Sequence, residues 1–219
     1  MKTIAIIPAR GGSKRLPGKN ILPLGDKPLV AHSILYAKDN NSIVDEVYVT
    51  TDCPEIKAVA LQFGAKVIDR PAALSGDFEP TVSALKHALD VIGNTVQNVI
   101  LLQPTNPLRP KNLLEEAWKM YVSGDHDSLM TVSQNHQKFG KIENKKFIPF
   151  NYEFGQRSQD LEPLFFENGL LYITKAELIL NDMIVGENGF PFEVNHPFAS
   201  VDIDTKEDFQ YAEYLFNYE

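Results

Sequence analysis

Apolar runs and amphipathic stretches alternate along the first 130 or so residues of this chain. Residues 3–7 (TIAII) form a short apolar, β-branched run closed by Pro8 and the glycines after it, the pattern of a strand covered on both faces. Helical spacing follows over 28–37. Residues 44–51 read as a strand with outward polar positions. The segment 54–63 reads as a helix stopped by Gly64, and 66–69 as a short strand. A helix over 81–92 precedes Gly93, a continuous apolar strand occupies 98–102, a helix over 111–122 ends near Gly124, and 128–132 is another strand. Repeated β-then-α units of this length predict an α/β fold: a three-layer sandwich with a mostly parallel sheet. Right-handed crossovers align the loops after each strand along one edge, where ligands bind in open sheets.

The rhythm breaks after Ser133. Residues 134–163 carry Phe139, Phe147, Phe150, Tyr152 and Phe154 among polar and glycine positions and predict hairpins or a long excursion. Two readings stand for so many aromatics outside the alternation: a contact with a second subunit, or a loop folded over its own core. The alternation resumes with a strand over 169–174, a short helix over 175–180, a strand over 199–203 and a closing helix over 206–216. No repeat or linker divides the chain, so 1–219 is expected to be one domain.

Composition is ordinary for a globular protein, and the acidic balance (net charge -8) argues against general nucleic-acid binding. One cysteine, Cys53, allows no internal disulfide. His32, His87, His126, His136 and His196 show no metal-ligand spacing. No apolar stretch approaches the ~20 residues of a membrane span. The first apolar run falls short of the ~7–15 residues of a signal-peptide core. These features predict a cytoplasmic protein with no membrane or nucleic-acid partner.

Charge changes the picture locally. The first twenty residues hold Lys2, Arg10, Lys14, Arg15 and Lys19 and no acid. Most of these cations lie in a glycine-bearing loop directly after the first strand. Glycines let backbone N–H groups approach an anion closely, and the cations neutralise it, so the loop is a candidate polyphosphate site. It is not a Walker A loop: Gly18-Lys19 is followed by Asn20 rather than Ser or Thr, and Ser13 stands where the first glycine belongs. It is not a dinucleotide fingerprint either, because Gly11-Gly12 lacks the third glycine. The remaining pattern is Arg10, Gly12, Ser13, Lys14, then Lys19-Asn20, with Pro17-Gly18 turning the chain so that Lys19 returns toward the ligand. A solvated basic turn is the alternative.

Asp202 and Asp204 lie two positions apart on a predicted strand, so both carboxylates are expected on one face. Beside a triphosphate site they suit Mg²⁺, a hard cation that takes one or two carboxylates plus phosphate oxygens. A solvated edge, or a cap on the final helix from Asp204 or Thr205, is the other reading. Gln103, Thr105 and Asn106 follow the end of a buried strand and can hydrogen-bond a hydroxylated sugar, although Pro104 and Pro107 also suit plain turn chemistry.

Taken together, several ordered motifs resemble the acylneuraminate cytidylyltransferases, within the nucleotide-diphospho-sugar transferase superfamily. They are residues 7–15 (IPARGGSKR) with Lys19-Asn20, Thr50-Thr51-Asp52, Arg70-Pro71, residues 101–109 (LLQPTNPLR), Glu167-Asn168-Gly169 with Tyr172, and residues 202–205 (DIDT). The resemblance spans nearly the whole chain. It implies transfer of a cytidylyl group from CTP to a nine-carbon 2-keto sugar acid of the sialic, legionaminic or pseudaminic type. In that scheme Ala9, Arg10, Gly11, Gly12, Ser13, Lys14, Lys19 and Asn20 hold CTP together with Arg70 and Thr81, with Asn20 and Arg70 reading cytosine. Gln103, Thr105, Asn106, Asn168 and Tyr172 face the sugar, and Arg157 binds its carboxylate. Asp202 and Asp204 hold the catalytic Mg²⁺, and Arg10, Lys14 and Lys19 complete the catalytic set. A homodimer through 134–163 is expected, with the excursion reaching the neighbour's site. Two other readings compete. One is a 3-deoxy-manno-octulosonate cytidylyltransferase, which tends to carry proline where this chain has Asn20. The other is a non-catalytic nucleotide-binding module, against which the intact aspartate pair stands.

Overall fold

The computed structural model describes residues 2–218. Its strands and helices follow in chain order: β1 (Lys2–Pro8), β2 (Pro23–Leu24), β3 (Lys27–Pro28), α1 (Leu29–Asp39), β4 (Glu46–Thr51), α2 (Pro54–Gln62), β5 (Lys66–Asp69), α3 (Thr81–Ile92), β6 (Val96–Leu101), α4 (Leu113–Ser123), β7 (Ser128–Asn135), β8 (Gly140–Glu143), β9 (Lys146–Pro149), β10 (Leu164–Lys175), α5 (Ala176–Leu180), β11 (Gly189–Glu193) and α6 (Lys206–Phe216). Seven strands form one sheet in the order β11-β7-β10-β6-β1-β4-β5. Pairing is parallel except at β10, which runs antiparallel to both β6 and β7.

The period of two places successive residues on opposite faces, and both faces are covered. In β1, Ala5 and Ile7 join a core with α1, α2 and α4, whereas Ile4 and Ile6 join a core with α3 and α5. A third apolar cluster seats α6 against Leu24, Leu29 and Leu108. The three-layer sandwich expected from the alternation is the observed architecture, and helix and strand limits move mostly by one or two residues. Among the described residues no helix is long and apolar enough to cross a membrane.

Three segments differ from expectation. The predicted strand over 199–203 does not form; a 3-10 turn (Pro197–Ser200) is followed by unpaired extended chain. Side chains and a loop, rather than a neighbouring strand, satisfy this backbone: Asn106 Nδ2 donates to the Val201 carbonyl (2.7 Å), Lys19 Nζ donates to that of Ile203 (2.7 Å), and Ile203 N donates to the Thr105 carbonyl (2.8 Å). Second, β11 carries Pro191 and lies on the sheet edge, where a missing donor costs least; the pattern did not mark it as a strand. Third, β10 begins at Leu164, five residues before the predicted start.

The excursion contains a β8–β9 hairpin whose two-residue turn, Asn144-Lys145, has positive φ at both positions (50° and 65°). That is the twist-compatible tight turn of hairpins. Ile142, Phe150 and Phe154 are 80%, 69% and 73% exposed, so the excursion does not bury its apolar side chains in its own core.

Candidate active site

The loops after β1, β5 and β6 meet at the carboxyl ends of the parallel strands, where the order of connections leaves an open crevice. Gly18 adopts φ 68° before a 3-10 turn over Lys19–Ile21, a conformation that favours glycine, and this turn carries Lys19 back under the loop. Lys19 is buried. Its ammonium donates to the Ile203 carbonyl and to Asp204 Oδ1 at 2.9 Å. Arg15 reaches the other oxygen of Asp204 at 2.5 Å. The cation cluster near the amino terminus and the carboxylate near the carboxyl terminus therefore meet in space.

They line a cavity of about 530 Å³ with Arg10, Ser13, Lys14, Asn20, Arg70, Thr81, Gln103 and Thr105. Asn20 is buried and ties its loop closed by donating to the Arg10 carbonyl (2.9 Å). Ala9 is fully buried and donates to the Thr50 carbonyl (3.0 Å), and Gly11 N donates to Asp52 Oδ1 (3.0 Å). Ala9, Gly11 and Gly12 shape the loop without lining the cavity.

Arg70 is unusual. It is buried, and its Nε and one terminal nitrogen have no hydrogen-bond partner. The nearest acid, Asp52, stands 3.9 Å away. Burial pushes the guanidinium pKa down, with Arg10 adding repulsion and Asp52 partly offsetting it. Unpaired buried donors beside a cavity are a ready anchor for an acceptor-rich ligand such as a pyrimidine base.

A second cavity of about 430 Å³ adjoins the first through Gln103, which lines both. Asn106, Glu167, Asn168, Tyr172 and Asp202 line it. Gly169, at φ 75°, lets the chain pass Asn106 so closely that a Cβ there would stand 2.8 Å from Asn106 Oδ1. Burial pushes the Asp202 carboxyl pKa up, nearby Asp204 adds to the rise, and Lys19 works the other way. Burial also raises the Tyr172 hydroxyl, with Glu167 beside it contributing.

The aspartates are thus not two outward side chains of one strand. With the strand absent, the two-residue rule does not apply. Asp204 faces the cation cavity and Asp202 the neighbouring one, so the pair flanks the boundary between them. The final helix is capped by Thr205, which forms a reciprocal capping box with Asp208.

Arg157 lines neither cavity of its own chain. It pairs bidentately with Asp160, three residues on, at 2.8 and 3.0 Å, and is largely exposed. Asn106 and Asn168 reach the second cavity, but their amides chiefly brace the protein: Asn168 accepts from Thr131 (2.6 Å) and donates to Ser133 (3.0 Å).

Two acidic residues were given no role from the sequence, Glu167 being quoted only within a motif. Asp77 meets Arg10 at 3.0 Å and also pairs with Lys14; its signal was an acid in the loop following β5. Glu167 accepts the Tyr172 hydroxyl at 2.9 Å. Arg109, quoted only within a motif, is buried and donates to the Leu170 carbonyl, Ser33 Oγ and the Gln103 carbonyl at 2.6, 3.0 and 2.8 Å, thereby fixing the loop that presents Gln103.

The sequence profile described as cytidylyltransferase matches residues 4–219. The chain is 33% identical to a pseudaminic acid cytidylyltransferase of Campylobacter jejuni, over 99% of this chain and 97% of that protein. It is 35% identical to a CMP-N,N'-diacetyllegionaminic acid synthase of Legionella pneumophila, over 98% and 96%. Identity is 33% to an N-acylneuraminate cytidylyltransferase of Streptococcus agalactiae, over 95% of this chain and 52% of that longer protein. In fold it is similar to a CMP:2-keto-3-deoxy-manno-octonic acid synthetase complexed with CTP, with a TM-score of 0.73 at 19% identity, covering 100% of this chain and 99% of the other.

Proposed function

The chain belongs to the cytidylyltransferase family, and from that premise we propose that it activates a nine-carbon 2-keto sugar acid with CTP, giving the CMP-sugar and pyrophosphate. The observation that carries this reading is the convergence of Lys19, Arg15 and Asp204 at one wall of a cavity that also holds Arg10, Lys14 and Arg70 and opens through Gln103 onto a second, polar one.

The division of labour follows from the two cavities. Arg10, Ser13, Lys14 and Lys19 bind the triphosphate, and Asn20 and Arg70 hold the base. Gln103 and Thr105 orient the sugar at the boundary. The anomeric hydroxyl oxygen forms a bond to the α-phosphorus and loses its proton to water. The bond from that phosphorus to the bridging oxygen breaks, and pyrophosphate leaves with the electron pair. Displacement of this kind is mostly positioning and charge stabilisation, so no side-chain nucleophile is required.

Asp202 and Asp204 fit a divalent cation. Asp202 is partly buried beside a second carboxylate, and burial, with Asp204 adding to it, raises its pKa, so a cation beside the pair would favour its charged form. No group of three or more His, Cys, Asp or Glu ligands occurs among the described residues, so two carboxylates would complete their shell with phosphate and water oxygens, as suits Mg²⁺. Held by Asp202 and Asp204, Mg²⁺ would supply positive charge to offset that of the triphosphate.

We place the enzyme in the cytoplasm, where CTP is made, and assign the exposed apolar face of 134–163 to a homodimer. In that arrangement Arg157 serves the partner's sugar cavity as a planar donor for a carboxylate. Light scattering at micromolar concentration is expected to read twice the chain mass of 24.6 kDa; the mass of a single chain would remove the dimer. The test of the activity is incubation with CTP, Mg²⁺ and a panel of sugar acids, scored by mass spectrometry. A CMP-sugar with stoichiometric pyrophosphate is expected for at least one nine-carbon acid, and product from none of them would end the assignment.

A further inference from the structure

The sugar cavity described above is acidic. Glu167 and Asp202 line it, and no Lys, Arg or His does. Its amides are engaged within the protein: Asn106 Nδ2 donates to the Asn168 and Val201 carbonyls, and both ends of Asn168 are bonded to β7 side chains. The Ser200 hydroxyl is occupied by the Pro197 carbonyl at 2.7 Å. Apart from the Gln103 amide at the boundary, the wall therefore presents mainly acceptors and negative charge to whatever enters.

Glu167 is aimed there by an irregularity in β10. Glu167 pairs with Val132 and Tyr172 with Met130, so five steps along β10 match two along β7. In a regular strand, residues five apart point to opposite faces. The surplus of three steps, centred on Gly169, reverses that parity. It brings Tyr172 to Glu167, where the hydroxyl donates to one carboxylate oxygen at 2.9 Å. Glu167 thus stands positioned between this cavity and a smaller one that also contains Gln103 and Tyr172.

We propose that Glu167, braced by Tyr172, is a specificity-determining residue: its carboxylate accepts a nitrogen-borne hydrogen bond from the sugar acid, most strongly from a cationic amino or amidino substituent. The same charge turns the substrate's own carboxylate away from this wall, since like charges at this range repel. Glu167 is exposed at the cavity mouth, so discrimination comes from the gain of a charge-assisted hydrogen bond with the donor rather than from a buried acceptor left unpaired. The inference rests on the sugar-acid reading above.

The experiment uses two nine-carbon 2-keto acids that differ only in carrying a free amino group or an acetamido group at one carbon. KM and kcat are measured for each with the wild type, Glu167→Gln and Tyr172→Phe. The wild type is expected to favour the amino compound by about 10- to 100-fold in kcat/KM, mainly through KM, the effect of one charge-assisted hydrogen bond. Glu167→Gln abolishes most of that preference while the KM for CTP stays unchanged, and Tyr172→Phe reduces it partly. An equal preference in Glu167→Gln and wild type, or a wild type that prefers the acetamido compound, overturns the proposal. Failure of the wild type to turn over any sugar acid is a separate result and overturns the cytidylyltransferase reading itself.

Discussion

Replacing Lys19 by alanine is expected to lower turnover with CTP by about 10²–10³-fold, the typical effect of removing one preorganised donor. Lys19 is the only cation of its loop that is buried; Lys14, by contrast, keeps 81% of its side chain exposed. A buried ammonium is held by fixed partners, here the Ile203 carbonyl and Asp204, and needs no reorganisation as charge builds on the phosphates. Its effect therefore falls on kcat more than on the KM for CTP. Lys14→Ala, at a solvated position, is expected to cost much less. Lys19→Arg keeps the charge but replaces a compact ammonium with a planar fork, so it restores activity only in part. Steady-state kinetics of the three variants, with melting temperatures as a folding control, check this. Full turnover by a folded Lys19→Ala protein would remove Lys19 from the catalytic set.

Arg109→Met is expected to be the most damaging single change to stability. The guanidinium is buried without a carboxylate partner among the described residues, and burial pulls its pKa down to about 10. Its stability comes from hydrogen bonds to two carbonyls and a hydroxyl, and from the Tyr36 ring 5.6 Å away. Methionine fills much of the volume but leaves those three acceptors facing an apolar group. Each unpaired buried acceptor costs about 1–3 kcal/mol, and with relaxation we expect a total of about 3–5 kcal/mol. For a chain of this size that corresponds to a fall in Tm of about 10 °C. Arg109→Lys keeps one donor direction of three and should lie between. Because the loop from β6 also presents Gln103, activity at low temperature should fall even where the protein remains folded. Thermal unfolding decides the matter: a Tm within about 2 °C of wild type would show that Arg109 is dispensable.

The cation-rich loop after β1 was legible because its signal is local. Reversed charge, glycines and a preceding apolar strand all lie within twenty residues, and Arg10, Ser13, Lys14, Lys19 and Asn20 line one cavity. The sheet was legible because buried parallel strands and amphipathic helices carry distinct periods. Asp202 and Asp204 were found for a reason that did not hold: the inferred strand is absent, and only their residue types and their neighbours across the chain place them at the site. Arg157 was read through resemblance; Asp160, three residues on, was a local cue to the ion pair within its own chain that the resemblance did not weigh.

What the linear order determines here is which segments become strands and helices, and that a cation-rich turn follows the first strand. Those features depend on neighbours a few residues apart. The tertiary structure alone decides the meeting of Lys19 with Asp204 across 185 positions, the bracing of the β6 loop by Arg109, and the reversal of face that brings Glu167 to Tyr172. Each depends on where strand order and register deliver a side chain, and a period read along one segment carries no information about the segment packed beside it.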